Sequence, residues 1–346
     1  MIDLPVFIDR TDRQLSKQVN DLLAQEGLHC DPCIDYTCGL FDETWNLLAT
    51  GSCYKNTLRC LAVRRDLQGK GLLAQIVGHL ITFQAQRGNT HLFLYTKKKN
   101  LSIFRNLGFY AVLESDGIIL MENCRTGFQD YLNSLYRIQS ENLPAAAVVM
   151  NANPFTLGHL HLVEKAASEN GIVYLFVLSE ENSFFPAVVR KRLVAESVSS
   201  LSNVIVLDSG PYMISNATFP SYFVRDSAEA MRIHARMDVQ IFGHIAKRLN
   251  IVRRYVGEEP TSQVTALYNR TLSEILPDIG IDCRVIPRLK IRGRTVSASV
   301  VRQAIQKDCL DEIMDMLPSA TRAFLRSAES DDIIASLRAA KEVVHH

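Results

Sequence analysis

The feature of this chain that most constrains its fold is a regular alternation of apolar strands and amphipathic helices after Pro144. The alternation starts with the apolar run Ala145–Met150, which is followed by a turn and by a helix from about Leu160. Strands that alternate with helices predict a parallel sheet with helices on both faces, whose ligands lie at the carboxyl ends of the strands. We therefore predict an α/β domain with a parallel sheet over residues 143–340.

A separate α/β domain is predicted ahead of Pro144, over residues 1–140. A polar, helical stretch at 125–142 leads into that proline, which we interpret as the domain boundary. Apolar periodicity predicts these elements in the first domain: strands 58–63, 91–95 and 109–113, and helices 71–86 and 100–107. In the second domain it predicts strands 145–150, 172–178, 204–207, 239–242, 254–256 and 283–286, and helices 160–169 and 188–199.

Composition excludes several classes of partner. The formal net charge of the 346 residues is +1, so no overall field attracts nucleic acid or an anionic membrane. No apolar stretch approaches membrane-spanning length, and the amino terminus lacks the pattern of a secretory signal. We expect a cytoplasmic protein whose eight cysteines are thiols. The pair Cys30 and Cys33 lacks a second close pair, so we predict no metal site.

Two elements of the second domain have the character of phosphate sites. The step Thr156-x-Gly158-His159 places a hydroxyl, a glycine and an imidazole at a helix N-terminus, where unpaired N–H groups favour phosphate. Near the other end of the domain, Ser297 and Ser299 precede a helix that carries Arg302. Together these elements predict one nucleotide site divided along the chain. The structural alternative is a turn with a satisfied histidine, together with an ordinary serine helix cap.

The residue types suggest a role for each position in nucleotidyl transfer. His159 and Thr156 suit the α-phosphate, and Gly158 permits close approach of the backbone. Ser297 and Ser299 suit the outer phosphates, with Arg302 as a forked cation. Further ATP-binding candidates follow the predicted strands: Asn151, Asn153, Pro154, Phe155, Arg190, Gly257 and Glu259.

Two of these assignments, and a nearby basic run, have structural alternatives that the sequence leaves open. Arg190 is equally well explained by a salt bridge on a helix surface, and Glu259 by a plain turn carboxylate. A basic run at 288–294 precedes the serine element, and either one of its members contacts phosphate or the whole run is solvated.

The two phosphate elements resemble the signatures of the nucleotidyltransferase superfamily, with Val296 in place of an isoleucine. Longer segments at 150–156, 214–223 and 256–260 resemble the citrate lyase ligase family, and the resemblance covers essentially the whole chain. It implies a Rossmann-like second domain and an AMP-forming ligase that uses ATP and Mg²⁺. Such a ligase converts acetate to acetyl-adenylate and acetylates the thiol of a coenzyme-A-like arm on the citrate lyase acyl-carrier subunit. Thr156, His159 and Arg302 are then the predicted catalytic residues.

In the first domain, a glycine-containing segment follows a strand and opens a helix, so its backbone N–H groups can bind a pyrophosphate. It resembles the coenzyme-A loop of GNAT-type acyltransferases, which implies a GNAT-like domain. We predict that six residues bind the arm: Val63, Gln68, Gly69, Lys70, Gly71 and Leu72. A glycine-rich turn without a ligand is the alternative. The segment 214–223 is predicted to be a substrate-side loop, with core packing as its alternative.

Two other functions stay open on the sequence alone. One is an adenylyltransferase that builds a dinucleotide-type cofactor, fused to an acetyltransferase-like domain. The other is a carrier-docking module without catalysis. The final adenylate product distinguishes the two enzymes, because a ligase releases AMP whereas an adenylyltransferase leaves it attached to its substrate. A docking module turns over no ATP.

Overall fold

The computed structural model describes residues 4–136, 143–179, 183–213, 219–220, 222–224, 226–259, 263–340 and 343. The chain forms two compact units. The first comprises Met1–Asp130 and Thr218–Met237, and the second comprises Tyr131–Ala217 and Asp238–His346. Residues 218–237, which the predicted domain bounds place in the second domain, thus belong to the first unit.

The first unit contains a mixed seven-stranded sheet in the order β1-β2-β3-β4-β5-β7-β6. In chain order its elements are β1 (Val6–Phe7), α1 (Arg13–Gln25), β2 (Tyr36–Phe41), β3 (Leu47–Tyr54), β4 (Thr57–Val63), α2 (Leu72–Gln86), β5 (Phe93–Lys97), α3 (Leu101–Asn106), β6 (Tyr110–Ser115) and β7 (Ile118–Glu122). Strands β4 and β5 are parallel, and they pair only at Thr57–Phe93 and Leu58–Leu94. The two strands therefore part towards their carboxyl ends.

Two cores cover the opposite faces of this sheet. Leu72, Ile76 and Leu80 recur at helical spacing, which places one apolar face of α2 against the sheet, and Phe104 of α3 lies in the same core. Helix α1 contributes Leu23 and its apolar neighbours to the core on the other face. The sheet separates these two cores, so a gap between strands β4 and β5 would connect its two faces.

The second unit contains a five-stranded sheet in the order β10-β9-β8-β11-β12, with every neighbouring pair parallel. The remaining elements, of which α4 and α7 are divided between the two units, are α4 (Gly127–Tyr136), β8 (Ala145–Met150), α5 (Leu157–Glu169), β9 (Ile172–Val177), α6 (Ala187–Ser197), β10 (Val204–Asp208), α7 (Ser227–Leu249), β11 (Ile251–Gly257), α8 (Gln263–Ile275), β12 (Asp282–Ile286), β13 (Lys290–Ile291), β14 (Arg294–Thr295), α9 (Ala298–Gln306), α10 (Ser319–Leu325) and α11 (Asp331–Ala339). The predicted α/β class with a parallel sheet is confirmed.

The strand order of this sheet locates its ligand crevice. From β8, successive strands are added on one side of the sheet as β9 and β10, and on the other side as β11 and β12. The order of the strands across the sheet therefore reverses between β8 and β11. A crevice opens outside the carboxyl ends of the strands at such a reversal. The loops that follow Met150 and Gly257 therefore border the expected ligand position.

The strand predicted at 239–242 is wrong, because these residues lie within helix α7, Ser227–Leu249. Taken alone, Val239, Ile241 and Phe242 have strand-like composition. The longer pattern is that of a helix, since the buried residues recur at intervals of three to four residues or their multiples, at Ala235, Val239, Phe242 and Leu249.

The described part of the chain contains no helix long and apolar enough to cross a membrane. All eight cysteines lie in that part and are free thiols.

Candidate active site

The step at 156–159 forms a reciprocal helix cap. Helix α5 begins at Leu157, and Thr156 is its N-cap residue in extended conformation. The Thr156 hydroxyl oxygen accepts from the His159 N–H at 3.4 Å, and the Thr156 N–H donates to Nδ1 of His159 at 3.1 Å. The first contact caps the helix and the second holds the imidazole against its first turn, where the Thr156 hydroxyl also lies 3.0 Å from Nδ1.

These contacts also fix the protonation of His159. Because Nδ1 accepts a hydrogen bond from a backbone N–H, the ring proton must lie on Nε2. Burial lowers the pKa of His159 to about 3, and the nearby cations Arg288 and Arg302 act in the same direction. The ring is therefore a neutral hydrogen-bond donor through Nε2 throughout the physiological pH range.

The neutral state of His159 predicts how stability depends on pH. The unfolded chain takes up a proton near pH 6.5, whereas the folded protein does so only near pH 3. The free energy of unfolding should therefore fall as the pH drops below about 6.5, by on the order of 1 kcal/mol per pH unit. Urea unfolding at pH 7 and pH 5 measures this, and His159→Gln should show a weaker pH dependence. Equal pH dependence in the two proteins would contradict the assignment.

The structure brings the two phosphate elements into contact. A β-carbon built on Gly158 would lie 2.9 Å from the carbonyl oxygen of Val296. The guanidinium of buried Arg302 donates through Nη1 to the carbonyl oxygen of Asn153. Burial lowers the pKa of Arg302 to about 10, so it still carries its charge at neutral pH. Binding of nucleotide at this junction stays a prediction.

Replacing Gly158 with alanine tests how closely the two elements pack. The new methyl group meets a backbone carbonyl, which cannot rotate away, so we expect a loss of about 1–3 kcal/mol in stability and weaker ATP binding. Gly171→Ala is a matched control, because a β-carbon there has no described atom within 4 Å. Thermal unfolding and ATP titration measure both variants, and equal behaviour would contradict the close packing.

The serine element begins helix α9. Ser297 is the N-cap residue, and its hydroxyl oxygen accepts from the Val300 N–H at 3.3 Å. The hydroxyl of Ser299 lies 3.2 Å from that of Ser297. Ser297 therefore caps the helix, as the structural alternative proposed. This role leaves Ser299 and the N–H groups of the first turn able to contact phosphate.

Arg190 joins the loops after β8 and β9 rather than lying on a helix surface. Its side chain has no solvent exposure. It donates to three carbonyl oxygens: that of Phe185 at 2.9 Å, that of Asn151 at 2.6 Å and that of Leu178 at 2.8 Å. The guanidinium therefore fixes the chain where two neighbouring strands end, and a surface salt bridge does not explain it.

The turn between β8 and α5 is held by contacts from several elements. Oδ1 of Asn153 accepts from the Phe185 N–H at 3.2 Å, and the peptide bond to Pro154 is cis. Phe155 is buried and stacks on the ring of His159 with centroids 5.5 Å apart. Its carbonyl oxygen accepts from the hydroxyl of Thr321 at 3.0 Å. These contacts place the turn and the imidazole rigidly.

The loop after β11 is held by Asn269 and by a cation, Arg288, from the segment after β12. The carbonyl oxygen of Gly257 accepts from Nδ2 of Asn269 at 2.9 Å. Arg288 donates to the carbonyl oxygen of Glu258 at 2.6 Å and pairs with the carboxylate of Glu259. Arg288 also lowers the pKa of His159, so this member of the basic run at 288–294 lies near the imidazole, and its contact with phosphate stays a prediction. The sequence indicated the run but could not single out this member.

In the first unit, the predicted arm-binding turn borders a cavity of about 420 Å³. The lining includes five of the six predicted residues: Val63, Gln68, Gly69, Gly71 and Leu72. Lys70 is exposed on the same turn and does not line it. Gly69 and Gly71 have φ values of +81° and +83°, a conformation that favours glycine, and α2 begins without a side-chain cap.

Sequence reasoning missed part of this lining. Lys99, Tyr95, Tyr222 and Phe223 also border the cavity. The last two belong to the segment predicted as a substrate-side loop, of which residues 214–218 and 221 lie outside the described residues. No periodicity in the sequence relates residue 222 to residues 63–72. Only the folded structure shows that they line the same cavity.

Among the described residues, no group of three or more His, Cys, Asp or Glu side chains is arranged to hold a metal ion.

The parallel sheet, with the 156–159 step packed against the serine element, defines an α/β protein with a candidate phosphate site beyond the carboxyl ends of its strands. A family model described as the citrate lyase ligase C-terminal domain matches residues 145–325. The chain is 31% identical to the citrate (pro-3S)-lyase ligase of Escherichia coli K12, covering 94% of both chains. It is 34% identical to that of Klebsiella pneumoniae, covering 82% of this chain and 85% of the relative.

The chain therefore belongs to the citrate lyase ligase family, and the predicted enzyme class, a ligase, is confirmed. Solved structures similar to part of it include an aminoglycoside 6'-N-acetyltransferase complexed with coenzyme A. That likeness has a TM-score of 0.30 and 16% identity, and covers 34% of this chain and 95% of the other.

Proposed function

We propose that this protein is an ATP-dependent, AMP-forming ligase that acetylates the thiol of a coenzyme-A-like arm on the acyl-carrier subunit of citrate lyase. The observation that carries the proposal is the fixed, neutral His159 at the junction of two phosphate-type elements. The names of its relatives support the target, since both are ligases of citrate lyase.

In the first step, a carboxylate oxygen of acetate attacks the α-phosphorus of ATP. The bond from that phosphorus to the bridging oxygen breaks, and pyrophosphate leaves. Nε2–H of His159 donates to an α-phosphate oxygen, on which negative charge builds up as the bond forms. The hydroxyl of Thr156 supports this contact by holding the ring.

Pyrophosphate is stabilised by the start of α9. The hydroxyl of Ser299 and the first N–H groups of that helix offer donors to the outer phosphates. Arg302 contributes positive potential and holds the carbonyl oxygen of Asn153, so it positions the turn as well. Mg²⁺ would be supplied with ATP as part of the substrate, where it would neutralise charge on the phosphate oxygens.

In the second step, the thiol of the arm attacks the acetyl carbonyl carbon, loses its proton and displaces AMP. After the transfer, we place the acetylated arm in the cavity of the first unit, with its phosphate near the uncapped start of α2. Neither step requires a nucleophilic side chain of the enzyme, and positioning with electrostatic stabilisation is sufficient.

Release of pyrophosphate tests the proposal. ATP, acetate and deacetylated carrier should together yield pyrophosphate, free AMP and acetylated carrier in equal amounts. Omission of acetate is the control and should abolish all three. Product formed without ATP would contradict the proposal, and AMP found attached to a phosphorylated substrate would instead identify a cofactor-building adenylyltransferase.

A further inference from the structure

The cavity of the first unit passes through the gap between two sheet strands. Strands β4 and β5 stop pairing after Leu58 and Leu94. Beyond that point the cavity is lined by Val63 of β4 and Thr96 of β5, together with residues of α2 and α3. It is also lined by Leu28, which packs in the core on the α1 face of the sheet. The cavity thus reaches from the face of α2 and α3 to the opposite face.

Tyr222 bridges the two strands where they part. Its hydroxyl donates to the carbonyl oxygen of Tyr95 on β5 at 3.3 Å and interacts with the backbone N–H of Cys60 on β4. Its own carbonyl oxygen accepts from the His29 N–H at 2.7 Å. The side chain is only 6% exposed and packs in the core on the α1 face. The residue therefore closes the gap on that face.

Phe223 completes this wall. Its ring contacts that of Tyr222 with centroids 4.8 Å apart and an interplanar angle of 68°. Both rings line the cavity and belong to the apolar core on the α1 face. On the other face, Lys99, Gly69 and Gly71 line the cavity and are exposed, so the mouth lies there. The mouth offers a lysine and helix N–H groups, whereas the inner end is aromatic.

We propose that Tyr222 and Phe223 form the inner end wall of this cavity and restrict the acyl group of a bound thioester to a short chain. A ligand whose phosphate lies at the cationic mouth presents its opposite end, the thioester, to the aromatic wall. An acyl group of two carbons needs little space there, whereas a longer chain must displace a packed ring. The inference deepens the proposed function, on which it rests for the arm as natural occupant.

Acyl-coenzyme-A thioesters are soluble probes of this wall, used with the full chain in the absence of ATP. Calorimetry should show that acetyl-coenzyme A binds at least about tenfold more tightly than hexanoyl-coenzyme A. Phe223→Ala should reduce this preference to within about threefold, because the longer chain then occupies the vacated space. Phe223→Leu, which keeps an apolar side chain and is less disruptive to the fold, should give an intermediate ratio. Phe7→Ala removes a 56% exposed aromatic of the same unit and should leave the ratio unchanged.

The outcomes separate this inference from the proposed function. Two outcomes would contradict the end-wall proposal without affecting the proposed binding of the arm. They are equal binding of both thioesters to the unchanged protein, and an unaltered affinity ratio in the folded Phe223 variants. Failure of the unchanged protein to bind either thioester would contradict arm binding, and the end wall with it. A lower ratio in Phe223→Ala, or in Phe223→Leu alone if the alanine variant does not fold, supports the wall.

Discussion

Replacing His159 with alanine should lower the rate constant for AMP formation by about 10²- to 10³-fold, the usual effect of removing one fixed donor to a developing charge. The Thr156 N–H fixes Nδ1 as the acceptor, so the donor at Nε2 is already in place before ATP binds. Its loss should lower kcat much more than it raises KM for ATP, because the contact strengthens as charge builds up on the α-phosphate. Steady-state measurement of AMP with carrier in excess gives both constants.

Two further variants make this prediction specific. His161→Ala removes an imidazole from the same helix, outside the described contacts of the site, and should keep the rate within about twofold. His159→Gln retains a side-chain N–H donor of similar reach and should recover part of the lost rate. A kcat for His159→Ala that matches the unchanged enzyme would show that the histidine is only a structural cap.

Replacing Arg190 with methionine should destabilise the protein by about 3–5 kcal/mol, since it leaves buried carbonyl oxygens without their charged donor. The carbonyl oxygens of Asn151, Leu178 and Phe185 all accept from this one guanidinium. The turn at 151–155 would then lose its anchor, so ATP binding should weaken as well. Urea unfolding and ATP titration measure the two effects.

A cation on the same helix provides the control. Arg192 is 43% exposed in its ion pair with Glu329, so Arg192→Met should cost less than about 1 kcal/mol. If both arginine variants lose the same stability, the interior role of Arg190 is contradicted. If Arg190→Met keeps its stability but loses ATP binding, the residue contacts the nucleotide directly.

Local patterns in the sequence were sufficient to predict the five strands of the parallel sheet and the helix starts at 156–159 and 297–299, but not helices α7, α8, α10 and α11. The hydroxyl, glycine and imidazole at 156–159 are a helix-start pattern, and they do begin α5, although three residues earlier than Leu160. The contact between Gly158 and Val296 follows from topology, because loops at the carboxyl ends of parallel strands converge.

Features that depend on tertiary packing could not be predicted. A sequence shows Arg190 as one of several cations on a helix, and only the three backbone carbonyl oxygens around it, two of them at strand ends, reveal an interior anchor. The strand predicted at 239–242 failed because four apolar-rich residues were interpreted without the longer helical period around them. Tyr222 reaches the β4–β5 gap although 127 residues separate it from Tyr95, its hydrogen-bond partner.

The fate of acetate oxygen tests the central claim most directly. Acetate labelled with ¹⁸O in both carboxylate oxygens is incubated with ATP, deacetylated carrier and the enzyme, and the AMP is analysed by mass spectrometry. Attack by the carboxylate on the α-phosphorus predicts one ¹⁸O atom in each AMP and none in pyrophosphate. AMP without the label, formed together with acetylated carrier, would contradict the acetyl-adenylate and the role of His159 in its formation.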